Sequence, residues 1–351
     1  MNLDDFGQFE TIDKNAMLRE IQGLPEQLSH AWQIADKYPL PQIDNIANVL
    51  IAGMGGSAIG ADLLAAYAAP LCEVPITVLR NYHLPKWAKD SSTLVICSSH
   101  SGNTEETLSV FHEAVSSHCS VMCISTGGQL LKSAKEENLV GWKFEHEGQP
   151  RSAVGFSFGM LLNLFSRLNL MNDQSLILES TVAGMREYLK EIDAEVPVFQ
   201  NLAKRIAGQA MNRHLVFLGA EHLEPIARRW KTQVNELAKC WGQFEFLPEA
   251  DHNTLAGLVF PEENLQNTYA VFLDSENNHL RNQKRMQLTF TEFMLAGMCT
   301  DKIMIPEKSV LVEMWKLLLL GDFVSYYLSM AYEVDPTPIE ALQNFKKAMI
   351  D

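Results

Sequence analysis

Two short stretches of the chain combine glycine with hydroxyl side chains in a way that suits an anion. The first is Gly53-Met54-Gly55-Gly56-Ser57, which follows an apolar run over 46–52 and precedes a helical pattern over 58–68. A strand, a glycine loop and a helix start together aim several backbone N–H groups and the positive end of a helix at one spot. The second is Ser98-Ser99-His100-Ser101-Gly102-Asn103-Thr104-Glu105-Glu106-Thr107, between an apolar run over 93–98 and a helical pattern over 103–117. Ser99, Ser101 and Thr104 offer hydroxyl donors, and Gly102 lets the backbone close in. Hydroxyls and amides without a lysine make a phosphate-ester cradle distinct from a P-loop, which needs Lys.

Each stretch has a rival reading. Gly53, Gly55 and Ala58 fit the dinucleotide pattern G-x-G-x-x-A, but the second strand ends Val78-Leu79-Arg80-Asn81 with no acid, and Glu73 stands before it. A ribose-binding acid is expected after that strand. The glycines could also serve tight packing alone, and the second stretch could be an ordinary Ser/Thr helix cap.

The surrounding pattern supplies the elements that would position these loops. Residues 15–28 and 28–38 carry apolar residues at helical spacing, with Pro25 opening the second helix. Strand patterns follow over 46–52, 74–79, 93–98 and 121–125, with helical patterns between. Helical periodicity returns over 154–170 and 180–192. The alternation then resumes with strands at 214–219, 243–247 and 268–273 and helices at 225–240, 280–292 and 309–332, the last interrupted near Gly321. Strands alternating with helices indicate βαβ units and parallel sheets. "VLIAGMGGSAIGADLL" matches "LVFLGAEHLEPIARRW" in element type, and "TLVICSSHSGNTEE" corresponds to "YAVFLDSENNHLRN". Two copies of one α/β unit are expected, with the ligand cleft at the carboxyl ends of the strands.

Composition bounds the function. The 351 residues include 28 Lys and Arg against 43 Asp and Glu, a net charge of −15. Such a surface repels phosphate backbones, so nucleic acid is not an expected partner. The apolar run around Lys316 to Leu320 is far too short to span a bilayer, and the start Met1-Asn2-Leu3-Asp4-Asp5 lacks a signal-peptide pattern. No membrane partner is expected. The six cysteines, Cys72, Cys97, Cys119, Cys123, Cys240 and Cys299, form no CxxC pair. They read as reduced thiols of a cytoplasmic protein. The ten histidines show no metal-ligand spacing, so no metal and no cofactor is expected.

Gly55-Gly56-Ser57 followed by Ser99-x-Ser101-Gly102-Asn103-Thr104-x-Glu106-Thr107 resembles a sugar isomerase (SIS) domain. The resemblance extends over nearly the whole chain to the bifunctional phosphoglucose/phosphomannose isomerases: "LPEQL" at 24–28, "VPITVLRNYHLP" at 74–85, "QPRSAVG" at 149–155, "NELAK" at 235–239, "PEADHN" at 248–253 and "DPTPIEALQNFK" at 335–346. His100 stands where the family usually has tyrosine, and Thr254 where glutamate is common after His-Asn. The resemblance implies an α/β fold of two SIS-type, doubly wound parallel-sheet subdomains with an N-terminal helical segment. The expected divisions are a helical segment 1–45, a first SIS subdomain 46–172, a linking helix 173–204 and a second SIS subdomain 205–351.

The same resemblance implies an aldose-ketose isomerase that interconverts glucose 6-phosphate and mannose 6-phosphate with fructose 6-phosphate through an enediolate. Ser57, Ser99, Ser101 and Thr104 would hold the phosphate beside the Gly56 backbone. Glu236 would be the base. On sequence pattern alone, Glu236 lies mid-helix and also fits a solvated face or a bridge to Arg229 or Lys239. His252 resembles the ring-opening acid/base, a role that suits an imidazole titrating near neutrality; without the family it reads as a loop hydrogen-bonder. Lys346 resembles its partner, with Lys347 one residue away, and Thr337 lines the sugar site in this reading. Arg151 resembles the cation near the enediolate. A homodimer with shared active sites is implied, the histidine coming from the neighbouring chain. The competing reading is a non-catalytic SIS protein that senses a sugar phosphate. A glutamine-dependent amidotransferase would need Cys at position 2, where this chain has Asn.

Overall fold

The computed structural model describes residues 2–43 and 45–349. The chain forms two compact units, one of residues 23–183 and the other of residues 1–22 with 184–351. The helix Ser175–Ile192 carries the boundary between them.

The unit of residues 23–183 holds strands β1 (Asn48–Ala52), β2 (Ile76–Leu79), β3 (Thr93–Ser99), β4 (Ser120–Ser125) and β5 (Val140–Lys143). They form one sheet in the order β2-β1-β3-β4-β5, and every pairing is parallel. β1 and β3 are buried apolar runs, as central parallel strands must be when helices cover both faces. One core joins Leu50, Val95, Cys97 and Val121 to Val110, Phe111 and Leu130 on the covering helices. The helix Val154–Arg167 buries nearly all of its residues and packs on the helices Leu24–Ala35 and Gly55–Ala68.

The other unit holds β6 (His214–Ala220), β7 (Gly242–Leu247), β8 (Thr268–Asp274) and β9 (Cys299–Met304). Its order is β7-β6-β8-β9, again parallel throughout. This repeats β2-β1-β3-β4, so the internal repeat expected from sequence order appears as one shared topology. Val216, Leu218, Ala270 and Phe272 form its core with Met286 and Phe293.

Three elements differ from the sequence reading. The helix Val310–Ala331 runs through Gly321 without interruption. Gly321 is there for contact: a Cβ would fall 2.2 Å from the Trp230 indole nitrogen. That nitrogen donates to the Leu317 carbonyl at 2.9 Å. The helix beginning at Glu224 ends at Glu236, four residues before the expected end, and Lys239 beyond it takes the left-handed conformation with φ of 55°. The first helical stretch divides at Gly23 into Met17–Gln22 and Leu24–Ala35, with Pro25 in the first turn of the second. Among the described residues, no helix is long and apolar enough to cross a membrane.

Candidate active site

In each sheet the chain reverses its direction of travel between two central strands, β1 and β3 in one unit and β6 and β8 in the other. Ligands of open α/β sheets bind outside the carboxyl ends of the strands at such a switch point.

Both the glycine stretch and the hydroxyl stretch lie at the β1/β3 switch. β1 ends at Ala52, and the helix that follows begins at Gly55, so Gly56 and Ser57 occupy its first turn. That turn carries no acidic residue, which leaves the positive helix end available to an anion. Ser57 is buried and its N–H donates to the Met54 carbonyl at 3.2 Å. Gly56 is required by close approach: a Cβ there would sit 2.4 Å from the Pro150 oxygen and 3.4 Å from the Arg151 Cα. The turn Pro150–Ser152 is thereby seated against the glycine loop, bringing Arg151, itself buried, beside the first helical turn. The Gln149 side-chain oxygen accepts from Arg151 Nη1 at 3.3 Å.

The hydroxyl loop leaves β3 at Ser99. Ser99 Oγ accepts from the Gly102 N–H at 3.1 Å and shares a hydrogen bond of 2.8 Å with Thr104 Oγ1. Ser101 is exposed, and its Oγ accepts from the Asn103 N–H at 3.2 Å, leaving the hydroxyl proton to donate outward. Gly102 has φ of 66°, and a Cβ on it would fall 1.8 Å from the Gly127 oxygen. The loop is therefore locked against its neighbour between β4 and the next helix. His100 anchors it on another side, with Nε2 2.9 Å from His146 Nδ1 and the ring edge-on to Phe144. Gly56, Ser57, Ser99, Ser101, Thr104 and Arg151 thus all belong to one unit and gather at the ends of β1 and β3.

Glu236, His252 and Lys346 belong to the other unit. Glu236 is half-buried at the last position of its helix. Arg229, one of its suggested partners, makes a buried two-pronged pair with Asp322, at 3.0 Å and 2.7 Å. Burial pushes the Asp322 carboxyl up, and Arg229 opposes the shift. This pair and the Trp230 contact fix the Glu224–Glu236 helix on Val310–Ala331. Lys239 Nζ donates to the carbonyls of Glu236 at 2.7 Å, Leu237 at 3.3 Å and Pro336 at 3.3 Å. One side chain thus ties the end of the Glu236 helix to the segment that carries Thr337 and leads to Lys346.

His252 lies in a short 3-10 turn after β7 and is exposed. Its neighbour Asp251 is held from the Leu280–Leu295 helix by Arg285 Nη1 and Thr289 Oγ1, both at 2.7 Å. Thr254 reaches Glu245 on β7; burial raises the Glu245 carboxyl above its ordinary range, and the Thr254 hydroxyl opposes that. Lys346 and Lys347 stand in the last turn of the exposed helix Glu340–Ala348. Among the described residues, no hydrogen bond or ion pair joins either lysine to Glu236 or His252. His146, Asp251 and the strap made by Lys239 were not legible from motifs. Each acts through a partner that is remote in sequence or through an unusual backbone angle.

Two parallel-sheet units with a shared strand order, one bearing a hydroxyl-rich loop at its switch point, define the SIS class of phosphosugar proteins. The fold matches the C-terminal domain of glucosamine-fructose-6-phosphate aminotransferase from Francisella tularensis with a TM-score of 0.75 at 15% identity, over 92% of this chain and 98% of that one. Residues 199–349 match the family model described as the bacterial phospho-glucose isomerase C-terminal SIS domain. The chain is 35% identical to the bifunctional phosphoglucose/phosphomannose isomerase of Caldicellulosiruptor bescii over 95% of its own length and 99% of the relative. It is 31% identical to the enzyme of the same name from Aquifex aeolicus, over 86% and 90%. The chain belongs to the bifunctional phosphoglucose/phosphomannose isomerase family.

Proposed function

We infer that this protein is an aldose-ketose isomerase that interconverts glucose 6-phosphate and mannose 6-phosphate with fructose 6-phosphate. The observation that carries the reading is the joint presence, at the β1/β3 switch point, of an acid-free helix start at Gly55–Ser57 and the hydroxyl loop Ser99–Thr104. The family relationship favours a catalyst over a silent sugar-phosphate sensor.

In the proposed mechanism Ser57, Ser99, Ser101, Thr104 and the Gly56 N–H hold the phosphate of the substrate. Ser99, engaged with Gly102 and Thr104, chiefly shapes the loop, and Ser101 donates from its exposed position. His252 and Lys346 move protons at the ring oxygen and anomeric hydroxyl, which opens the sugar. The Glu236 carboxylate takes the C2 proton of the aldose, exchanges it with water while the enediolate persists, and delivers a proton to C1. Arg151 stabilises the negative charge that develops on oxygen in the enediolate. Both aldoses lose their C2 stereochemistry in that planar intermediate, so one base serves both. Rotation about the C2–C3 bond presents either face.

The proposed working form is a cytoplasmic homodimer in which His252 serves the neighbouring chain. Six free cysteines fit a reducing compartment. The exposure of His252 fits its use by a partner. Val259 and Phe260 in the following loop, and Leu288 and Leu295 on the helix that holds Asp251, are large exposed apolar residues. Exposed apolar residues of this size fit an interface between copies. The test mixes two inactive variants, Glu236→Gln and His252→Ala, refolded together, and assays both aldose phosphates by a coupled reaction. Shared sites predict recovery of about a quarter of wild-type activity, since half the dimers are mixed and each has one intact site. No recovery would place Glu236 and His252 of one chain in the same site.

A further inference from the structure

The second unit has its own switch point, between β6 and β8. By the shared strand order, the loop from β8 to the Leu280–Leu295 helix is the counterpart of the hydroxyl loop Ser99–Thr104. Its donors converge on one atom. Glu313 Oε2 lies 2.7 Å from Ser275 Oγ, 3.0 Å from Asn277 Nδ2 and 3.0 Å from His222 Nε2. Ser275 and Asn277 belong to the β8 loop, and His222 to the turn that follows β6. Glu313 comes from the first turn of the Val310–Ala331 helix, whose positive end favours a carboxylate. It is 1% exposed, so these partners take the place of water at its carboxyl group. The neighbouring Asn278 is 4% exposed, and neither atom of its carboxamide has a hydrogen-bond partner among the described residues.

We propose that the second unit retains an anion-binding site at its switch point and that the Glu313 carboxylate occupies it as a built-in anion. A hydroxyl, an amide and an imidazole N–H form the kind of lysine-free donor set that suits an oxyanion. A carboxylate fixed on the chain outcompetes a free anion because it is always at high effective concentration. The repeat thus has two anion sites, of which Glu313 leaves one open to ligand.

The proposal does not depend on the isomerase reading, because its probes are simple anions. Glu313→Ala removes a fragment the size of acetate. Unfolding midpoints of the wild type, Glu313→Ala and Glu313→Gln are compared in acetate and in chloride at equal ionic strength. Acetate at about ten times its dissociation constant should raise the midpoint of Glu313→Ala by roughly 2–4 °C more than that of the wild type. Calorimetric titration with inorganic phosphate should find one more phosphate per chain in Glu313→Ala than in the wild type. Glu313→Gln, which fills the same space, should show neither gain. If Glu313→Ala does not fold in chloride, refolding in acetate should recover it. An acetate response equal in all three proteins, an unchanged phosphate count, or failed recovery in acetate would overturn the proposal.

Discussion

Lys239 Nζ donates to the main-chain oxygen of Glu236 at 2.7 Å, from a residue held at φ of 55°. A left-handed lysine costs on the order of 1 kcal/mol relative to glycine. The chain keeps a side chain there, and that side chain reaches three carbonyls on two segments. Lys239 is read as a positioning residue that sets the end of the Glu236 helix.

Lys239→Gly relieves the backbone angle and deletes the strap. Its unfolding midpoint should stay near that of the wild type, while kcat falls about tenfold, or about 1.4 kcal/mol of barrier. KM should change little, because the loops proposed to hold the phosphate belong to the other unit. Lys239→Arg should restore part of kcat. Wild-type kcat in the glycine variant would show that Glu236 needs no such support.

The hydroxyl loop makes a separable prediction. Ser101→Ala and Thr104→Ala should each weaken binding of the phosphorylated sugars by roughly 1–3 kcal/mol, the value of a hydrogen bond to a charged group. Binding of unphosphorylated glucose or mannose should not change. Ser99→Ala should also lower the unfolding midpoint, because the Gly102 N–H and Thr104 hydroxyl lose a buried partner. Calorimetry with equal losses for both ligand types would move the phosphate elsewhere.

The loops at the β1/β3 switch were legible because their chemistry is local. A glycine run after an apolar strand, or three hydroxyls in six residues, reads directly from the chain. The edge strands β5 and β9 were not. "VGWK" is short and contains glycine, and "CTDKIM" carries Thr, Asp and Lys in a row, as an edge that meets solvent can. Gly321 looks like a helix breaker in isolation, and its role becomes visible only with Trp230, 91 residues earlier in the chain. Glu236 looked mid-helix because Leu237, Ala238 and Lys239 all favour helix; the left-handed turn at Lys239 overrides that propensity. The contacts of Asp251 with Arg285 and Thr289 cross more than thirty residues, and no local pattern encodes them.

Glu245 gives a pH-dependent prediction. Burial raises its carboxyl in the folded state, more than the Thr254 hydroxyl lowers it. A carboxyl raised on folding favours the folded state when protonated, and that contribution is lost as pH rises through its folded value. Glu245→Gln should therefore be more stable than the wild type near neutral pH, and the difference should shrink as pH falls into the ordinary carboxylate range. A difference that grows on acidification would reverse the assigned sign. Thr254→Val should raise the Glu245 carboxyl further, measurable by the carboxyl carbon shift in an NMR titration.

The central claim is that one carboxylate, Glu236, moves a proton for both epimers. Its most direct test is incubation of fructose 6-phosphate with the enzyme in deuterium oxide, followed by proton NMR of the products. The account predicts that glucose 6-phosphate and mannose 6-phosphate both form and both carry deuterium at C2. Glu236→Gln should form neither while binding fructose 6-phosphate within about tenfold of the wild type, or about 1.4 kcal/mol. Products that keep protium at C2 in full, or wild-type turnover by Glu236→Gln, would contradict it.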